Sequence, residues 1–194
     1  PIYKDLSKVQ VEGGTKDEKT IFYTGMYHLL IHPNILQDVN GEYPMMESLK
    51  VGHTTGNRYT VFSLWDTYRN VSTLMTLLYP ERQLDIIRTM LDMYRENGWL
   101  PKWELYGRET FTMEGDPSIP YIVDAWMRGL RDFDEQTAYE AMRKGATTPG
   151  EFNLLRPDAN DYFSKGYVPL REQYDNSVSH ALEYYIADWN LANF

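Results

Sequence analysis

Phe62-Ser63-Leu64-Trp65-Asp66-Thr67-Tyr68-Arg69 follows a polar, turn-rich segment and opens a run in which Val71, Leu74, Met75, Leu77 and Leu78 recur at helical spacing. A helix start therefore falls between Trp65 and Thr67, with Asp66 or Thr67 as the expected N-cap. A helix mouth carrying Trp65, Asp66 and Arg69 suits a carbohydrate. The indole offers a flat apolar face, the carboxylate accepts hydroxyl hydrogen bonds, and the guanidinium fixes that carboxylate or adds donors. The same residues also fit a plain helix cap with a packed Trp and a surface ion pair, and alone they do not choose between the two.

Outward from this stretch, the helix is expected to run from Trp65 to Tyr79 and stop at Pro80. A second helix, Glu81 to Asn97, carries Leu84, Ile87, Met90, Leu91 and Tyr94 and ends at Gly98 in left-handed geometry. Helices joined so tightly are antiparallel neighbours. Upstream, Asn40-Gly41 and Gly56-Asn57 are turn signals and Tyr59 to Phe62 has strand character. Residues 34–63 are thus expected to be irregular, with a short β-hairpin near 42–62. Before them, a helix from Asp17 to Ile31 buries Ile21, Phe22, Met26, Leu29 and Leu30 behind a polar lead-in over residues 1–16. His28 and His32 have metal-ligand spacing, but no third ligand sits at a recognised offset, so no metal is assigned there.

Downstream, Trp99-Leu100-Pro101-Lys102-Trp103 begins a loop to Glu114 that also holds Glu104, Tyr106, Arg108 and Glu109. Aromatics and carboxylates in a connection suit a binding surface, and equally a loop that packs its own Trp residues onto helix ends. Asp116-Pro117 is expected as the N-cap and first residue of a helix with Ile122, Ala125, Trp126, Gly129 and Leu130 inward. A shorter helix, Asp134 to Lys144, carries Ala138, Tyr139 and Met142. A long connection spans 145–176. Its Asp158-Ala159-Asn160-Asp161 resembles a calcium loop but lacks glycine at the sixth position and glutamate at the twelfth. Ser177 is expected to cap a last helix, Val178 to Phe194.

The 194 residues suffice for one well-filled core, and a net charge of -9 disfavours nucleic acid as a partner. Without cysteine there is no disulfide, thiolate nucleophile or zinc-thiolate site. No apolar run approaches the roughly 20 residues of a membrane span. Aromatics make up 14% of the chain, which suits sugar stacking as well as an aromatic core. Phosphate-binding glycine loops, H-E-x-x-H, G-x-S-x-G and dinucleotide fingerprints are all absent. Pro1 and the helical spacing that continues through Leu182, Tyr185, Ile186 and Trp189 to Phe194 suggest an internal piece of a longer protein, with no signal peptide in this chain. Helical hairpins with long aromatic and acidic loops at one end describe an all-α fold, part of an α/α toroid.

Several segments together resemble glycoside hydrolase family 92, the calcium-dependent exo-acting α-mannosidases of bacteria. They are His32-Pro33-Asn34, Asp38 to Gly41, Phe62 to Arg69, Gly98 to Trp103, Met113 to Pro117, Tyr139 to Met142, Gly166 to Pro169, Ser177 to Ser179, Leu182 to Tyr184, and Asp188-Trp189. The resemblance implies that residues 1–194 are a partial (α/α)6 catalytic domain, lacking the N-terminal β-sandwich and the C-terminal half of the toroid. It implies inverting hydrolysis of terminal α-mannosides, α-1,2-linked above all, in mannans or N-glycans, by a bacterial periplasmic or secreted enzyme. Such hydrolysis needs acid and base carboxyls roughly 6.5–9.5 Å apart. The family's Glu-Gly-Asn acid motif, Gly-Asn-Asp-Asp base motif and Gly-Asn-Glu-Pro calcium motif do not occur here. Catalytic residues and the main Ca2+ ligands are therefore expected outside this chain, and the chain alone is expected to be inactive.

A pairing of Asp66 with Glu104 or Glu109 as acid and base is set aside on the same resemblance. Asp66 matches a carboxylate that holds hydroxyls of the terminal mannose. Trp65, Arg69, Trp99 and Trp103 are its candidate neighbours, each able to be pocket wall or core. Glu183 and Asp188 are expected to lock helix ends or loops. The implied partners are a mannose-containing oligosaccharide and the missing parts of the polypeptide, and Ca2+ would orient the sugar's O2 and O3 hydroxyls. A glucosidase- or trehalase-like enzyme on the same toroid, or a helical glycan-binding or scaffold module, are the rival readings. A half toroid should also expose an apolar flank and self-associate, or repack its last helix.

Overall fold

The computed structural model describes residues 2–170 and 176–194. After a short α1 (Ile2–Leu6), α2 (Lys16–Leu29) starts where Thr15 and Glu18 close a capping box. Thr15 Oγ1 accepts the Glu18 N–H at 3.2 Å and the Glu18 carboxylate accepts the Thr15 N–H at 2.7 Å. Only part of the expected stripe is inside. Met26 and Leu30 pack with Met75 and Tyr79, whereas Ile21 and Phe22 are exposed.

The irregular segment folds as two small antiparallel ladders rather than one hairpin. β1 (Asn34–Ile35) pairs with β4 (Tyr59–Thr60), and β2 (Glu42–Pro44) pairs with β3 (Val51–His53) inside that loop. Gly52 is required there, since a Cβ would lie 2.6 Å from the Tyr43 ring.

The expected Trp65–Tyr79 helix is two helices, α3 (Leu64–Thr67) and α4 (Val71–Leu78), joined by a corner at Tyr68–Asn70. Ser63 rather than Asp66 or Thr67 occupies the N-cap, without a side-chain cap bond. The break has a tertiary cause: the side chains of Tyr68 and Arg69 are both drawn to Glu183.

Pro80 then opens α5 (Pro80–Asn97), and Gly98 closes it at φ 86°, in the left-handed region read from the sequence. The loop that follows contains a hairpin, β5 (Glu104–Leu105) with β6 (Arg108–Glu109).

α6 (Ser118–Met127) has Pro117, not Asp116, at its cap, because the Asp116 carboxylate is buried against Arg156. Gly129 lies beyond its end at φ 95°, outside the inner face assigned to it. α7 (Glu135–Thr147) is capped by Asp134, whose side chain accepts the Thr137 N–H; Ala138 and Met142 are buried and Tyr139 is exposed. The long connection contains a 3-10 turn (Gly150–Phe152) and α8 (Ala159–Lys165), which no apolar period announced; its residues 171–175 lie outside the described ones. α9 (Ser177–Asn193) begins one residue early, with Asn176 at the cap.

The molecule is thus mostly helical, with three two-stranded sheets among the described residues. Ile86, Ile87, Met90, Leu91 and Met93 of α5 form its centre with Ile119, Ile122 and Val123 of α6, Ala138 and Met142 of α7, and Ala187 of α9. Each buried Ile, Leu or Met contributes about 1.5–3 kcal/mol by leaving water.

Candidate functional site

α3 and the corner that follows it place Trp65, Asp66 and Arg69 near one another, but with partners other than those read from the sequence. Arg69 makes no hydrogen bond or ion pair with Asp66, although the charge of Asp66 reaches it. Its guanidinium lies 4.3 Å from the centre of the Trp65 ring, and its Nε donates to the Trp65 carbonyl at 3.1 Å. Its Nη2 donates to Glu183 Oε1 at 2.5 Å, while the Tyr68 hydroxyl donates to Glu183 Oε2 at 2.8 Å. Burial opposes the guanidinium's charge, yet the bond and charge of Glu183 outweigh it and raise the Arg69 pKa. Burial, then Glu183, raise the Tyr68 pKa as well, so both donors stay protonated. Trp65 is half-buried, and its Nε1 has no partner among the described residues. Asp66 is exposed and makes no hydrogen bond or ion pair among them.

Trp99 and Trp103 are not gathered to this turn. Lys144 of α7 stacks its ammonium 4.4 Å over the Trp99 ring and donates to the Gly98 carbonyl at 2.7 Å, so Trp99 packs onto a helix end. Trp103 is built into the base of the β5–β6 hairpin, its N–H donating to Glu109 Oε1 at 2.9 Å. No hydrogen bond, ion pair or ring contact joins either residue to Trp65, Asp66 or Arg69 among the described residues.

The loop's carboxylates are committed as well. Glu104 is fully buried and accepts from Thr60 Oγ1 at 2.9 Å, Gly107 N–H at 2.5 Å and Val61 N–H at 3.1 Å. Its burial raises the pKa against those bonds. Glu109 accepts the N–H groups of Lys102, Trp103 and Phe111.

One cluster escaped sequence reading. Beneath α9, Arg156 is fully buried and bridges Asp116 (3.4 Å) and Asp188 (2.7 Å). Tyr162 donates to the other Asp188 oxygen at 2.8 Å, Tyr184 donates to Asp158 at 2.6 Å, and buried Lys102 donates to the Leu155 carbonyl at 3.0 Å. Burial raises the pKa of Asp116 and lowers that of Lys102. Glu183 and Asp188 therefore lock a helix corner and a loop, as their positions implied. Periodicity could not mark Arg156, which sits in a connection; a lone Arg between Leu155 and Pro157 was its only signal.

No group of three or more His, Asp or Glu side chains able to hold a cation forms among the described residues, so these residues do not fit a calcium site. A concavity of about 730 Å³ is lined by Leu6, Lys16, Lys19, Tyr23 and Tyr27, and another of about 430 Å³ by Tyr43, Pro44 and Leu49. Neither includes a residue of α3; a cleft of about 20 Å³ reaches Leu64 and Thr67 of α3 from His32, Phe62 and Tyr121, but Asp66 does not line it and is exposed.

Residues 3–194 match the model of the glycosyl hydrolase family 92 catalytic domain. A family GH92 α-mannosidase of Bacteroides thetaiotaomicron, 35% identical, superposes with a TM-score of 0.87 over 97% of this chain and 25% of its own. The same mannosidase is also known in complex with mannoimidazole. An inverting GH92 mannosidase of that bacterium is 32% identical, with a TM-score of 0.87 over 97% of this chain and 26% of its own. An uncharacterized secreted glycosidase of Arthroderma benhamiae is 26% identical over 190 residues, which are 91% of this chain and 20% of that protein. The chain thus spans 20% to 26% of the length of these relatives.

Proposed function

This chain belongs to glycosyl hydrolase family 92 and is homologous to its α-mannosidases, and from that premise we propose that it is the substrate-binding first half of an (α/α)6 catalytic toroid. The longer polypeptide removes terminal α-linked mannose, α-1,2-linked above all, by inverting hydrolysis of mannans or N-glycans. The 194 residues alone do not turn over.

One observation carries the reading. Asp66 is an exposed carboxylate with no hydrogen bond or ion pair among the described residues, near the charge of Arg69 and set on a turn that Arg69, Tyr68 and Glu183 immobilise. Its lone pairs are open to two sugar hydroxyls, and a charged acceptor makes the stronger kind of hydrogen bond. Arg69 covers one face of the half-buried Trp65 indole and so sets the ring's orientation beside Asp66.

General acid, general base and the Ca2+ ligands are assigned to the rest of the polypeptide, since the family's acid, base and calcium motifs do not occur in this sequence. Calcium would there orient the hydroxyls of the terminal mannose. A secreted or periplasmic location is supported by the secreted relative; no helix among the described residues is long and apolar enough to cross a membrane.

The test is mannose release from α-1,2-linked mannobiose, with and without a calcium chelator. This chain is assayed beside one extended through its natural reading frame. Chelator-sensitive release by the longer chain alone is expected. In that longer enzyme Asp66→Ala should reduce kcat/KM about 10- to 100-fold, the loss of hydrogen bonds to a charged group. Release by the short chain would assign the chemistry to carboxylates between Asp66 and Asp116. No release from either would favour a glycan-binding module.

A further inference from the structure

α3 is one turn long, too short to persist on its own hydrogen bonds, and no side chain caps it. It is held from outside. At its start, Leu64 is buried and donates its N–H to the Lys102 carbonyl at 3.4 Å. At its end, Tyr68 and Arg69 both terminate on one carboxylate, that of Glu183, which is 114 residues from Arg69 in sequence. Glu183 cannot swing away easily. It is 8% exposed, lies on the buried face of α9, and abuts Gly115 so closely that a Cβ there would stand 2.4 Å from the Glu183 Cβ. From Glu183, Arg69 reaches back over the Trp65 ring and onto the Trp65 carbonyl, in the peptide unit that leads into Asp66.

We propose that Glu183 is a positioning residue for substrate binding: acting through Arg69 and Tyr68, it fixes the Trp65–Asp66 turn so that the Asp66 carboxylate meets the terminal sugar's hydroxyls in one orientation. The inference rests on the reading of Asp66 as the hydroxyl-holding carboxylate. A bound sugar then finds its acceptor already ordered, and a misplacement of order 1 Å can lower the rate about 100-fold. Asp188 supplies an internal comparison. It makes a similar pair of contacts from the same helix, to Arg156 and Tyr162, with no contact to α3.

A double-mutant cycle in the longer enzyme tests this, with kcat and KM measured on α-1,2-linked mannobiose for Glu183→Ala, Asp66→Ala and the pair. Glu183→Ala is expected to lower kcat/KM about 10- to 100-fold when Asp66 is present, and by less than about threefold when Asp66 is already alanine. Asp188→Asn should show the same factor in both backgrounds. Should Glu183→Ala not fold, Glu183→Gln carries the same cycle, since it keeps the size of the side chain and loses the charge that holds Arg69. Equal losses from the Glu183 variants in both backgrounds, or none in either, would overturn the positioning role and leave Asp66 untouched. An Asp66→Ala enzyme with unchanged kcat and KM would instead remove the underlying reading, and this inference with it.

Discussion

His180 of α9 lies against the buried Asp158, with Nδ1 3.9 Å from Oδ2, beyond hydrogen-bond reach, and neither atom has another partner among the described residues. Burial lowers the pKa of its imidazole from the ordinary 6.5; Asp158 and then Glu114 pull upward, and Lys102 pushes down, without reversing it. The unfolded chain therefore binds this proton more tightly than the folded one. The stability that His180 contributes is fully present above about pH 6.5 and is lost as pH falls through its lower folded value. Asp116 and Glu104, whose burial raises their pKa, act in the opposite sense: they favour the folded state at low pH and lose that advantage as pH rises through their folded values. We predict that the urea midpoint of the unaltered chain, relative to that of His180→Asn, falls as pH is taken from about 7 to about 5. An unchanged slope in His180→Asn would place the acid sensitivity on other groups.

Elements depend on single side chains in the same way. The loop between β1 and β4 is fastened to α5 by Glu96, whose carboxylate takes the Tyr43 hydroxyl at 3.0 Å, the Met46 N–H at 2.6 Å and both Arg58 Nη groups at 3.0 and 2.8 Å. Arg58 is 2% exposed, so Glu96→Ala strands a buried cation and is expected to cost about 3–5 kcal/mol in urea denaturation. Arg58→Met with Glu96→Leu should cost clearly less than that single change. Equal losses would assign the effect to packing alone. This dependence marks where the sequence is legible. α5 and its Gly98 end were readable because apolar period, Pro80 and a left-handed glycine all lie within the element. The corner at Tyr68–Asn70, α8 and the burial of Asp116 were not, because Glu183, Asp188 and Arg156 fix them from distant positions. The site divides along the same line. Trp65, Asp66 and Arg69 share a turn and could be read together, whereas Trp99 answers to Lys144 of α7, which its neighbours in sequence do not reveal.

On the scale of the whole molecule, α9 is apolar on two sides. Ala181, Tyr184 and Ala187 are buried, while Val178, Leu182, Tyr185, Ile186 and Trp189 form a second stripe at helical spacing that is 71%, 55%, 43%, 38% and 60% exposed. A helix with apolar residues on opposed faces belongs between two layers, and monomeric proteins rarely leave more than a few hundred Å² of contiguous apolar surface in water. The relatives are about four to five times as long as this chain, and on the proposed architecture the next helices of the toroid cover the stripe. The isolated chain should therefore bind an apolar dye and sediment above monomer mass. A net charge of -9 opposes that association, so raising salt should strengthen it as screening shortens the repulsion. Leu182→Lys with Trp189→Glu should suppress both dye binding and association in the short chain. The same pair should destabilise the longer enzyme, where each charge would be buried. A monomer without dye binding at any salt concentration would mean that α9 is satisfied as it stands, and the half-toroid architecture would fall with that result.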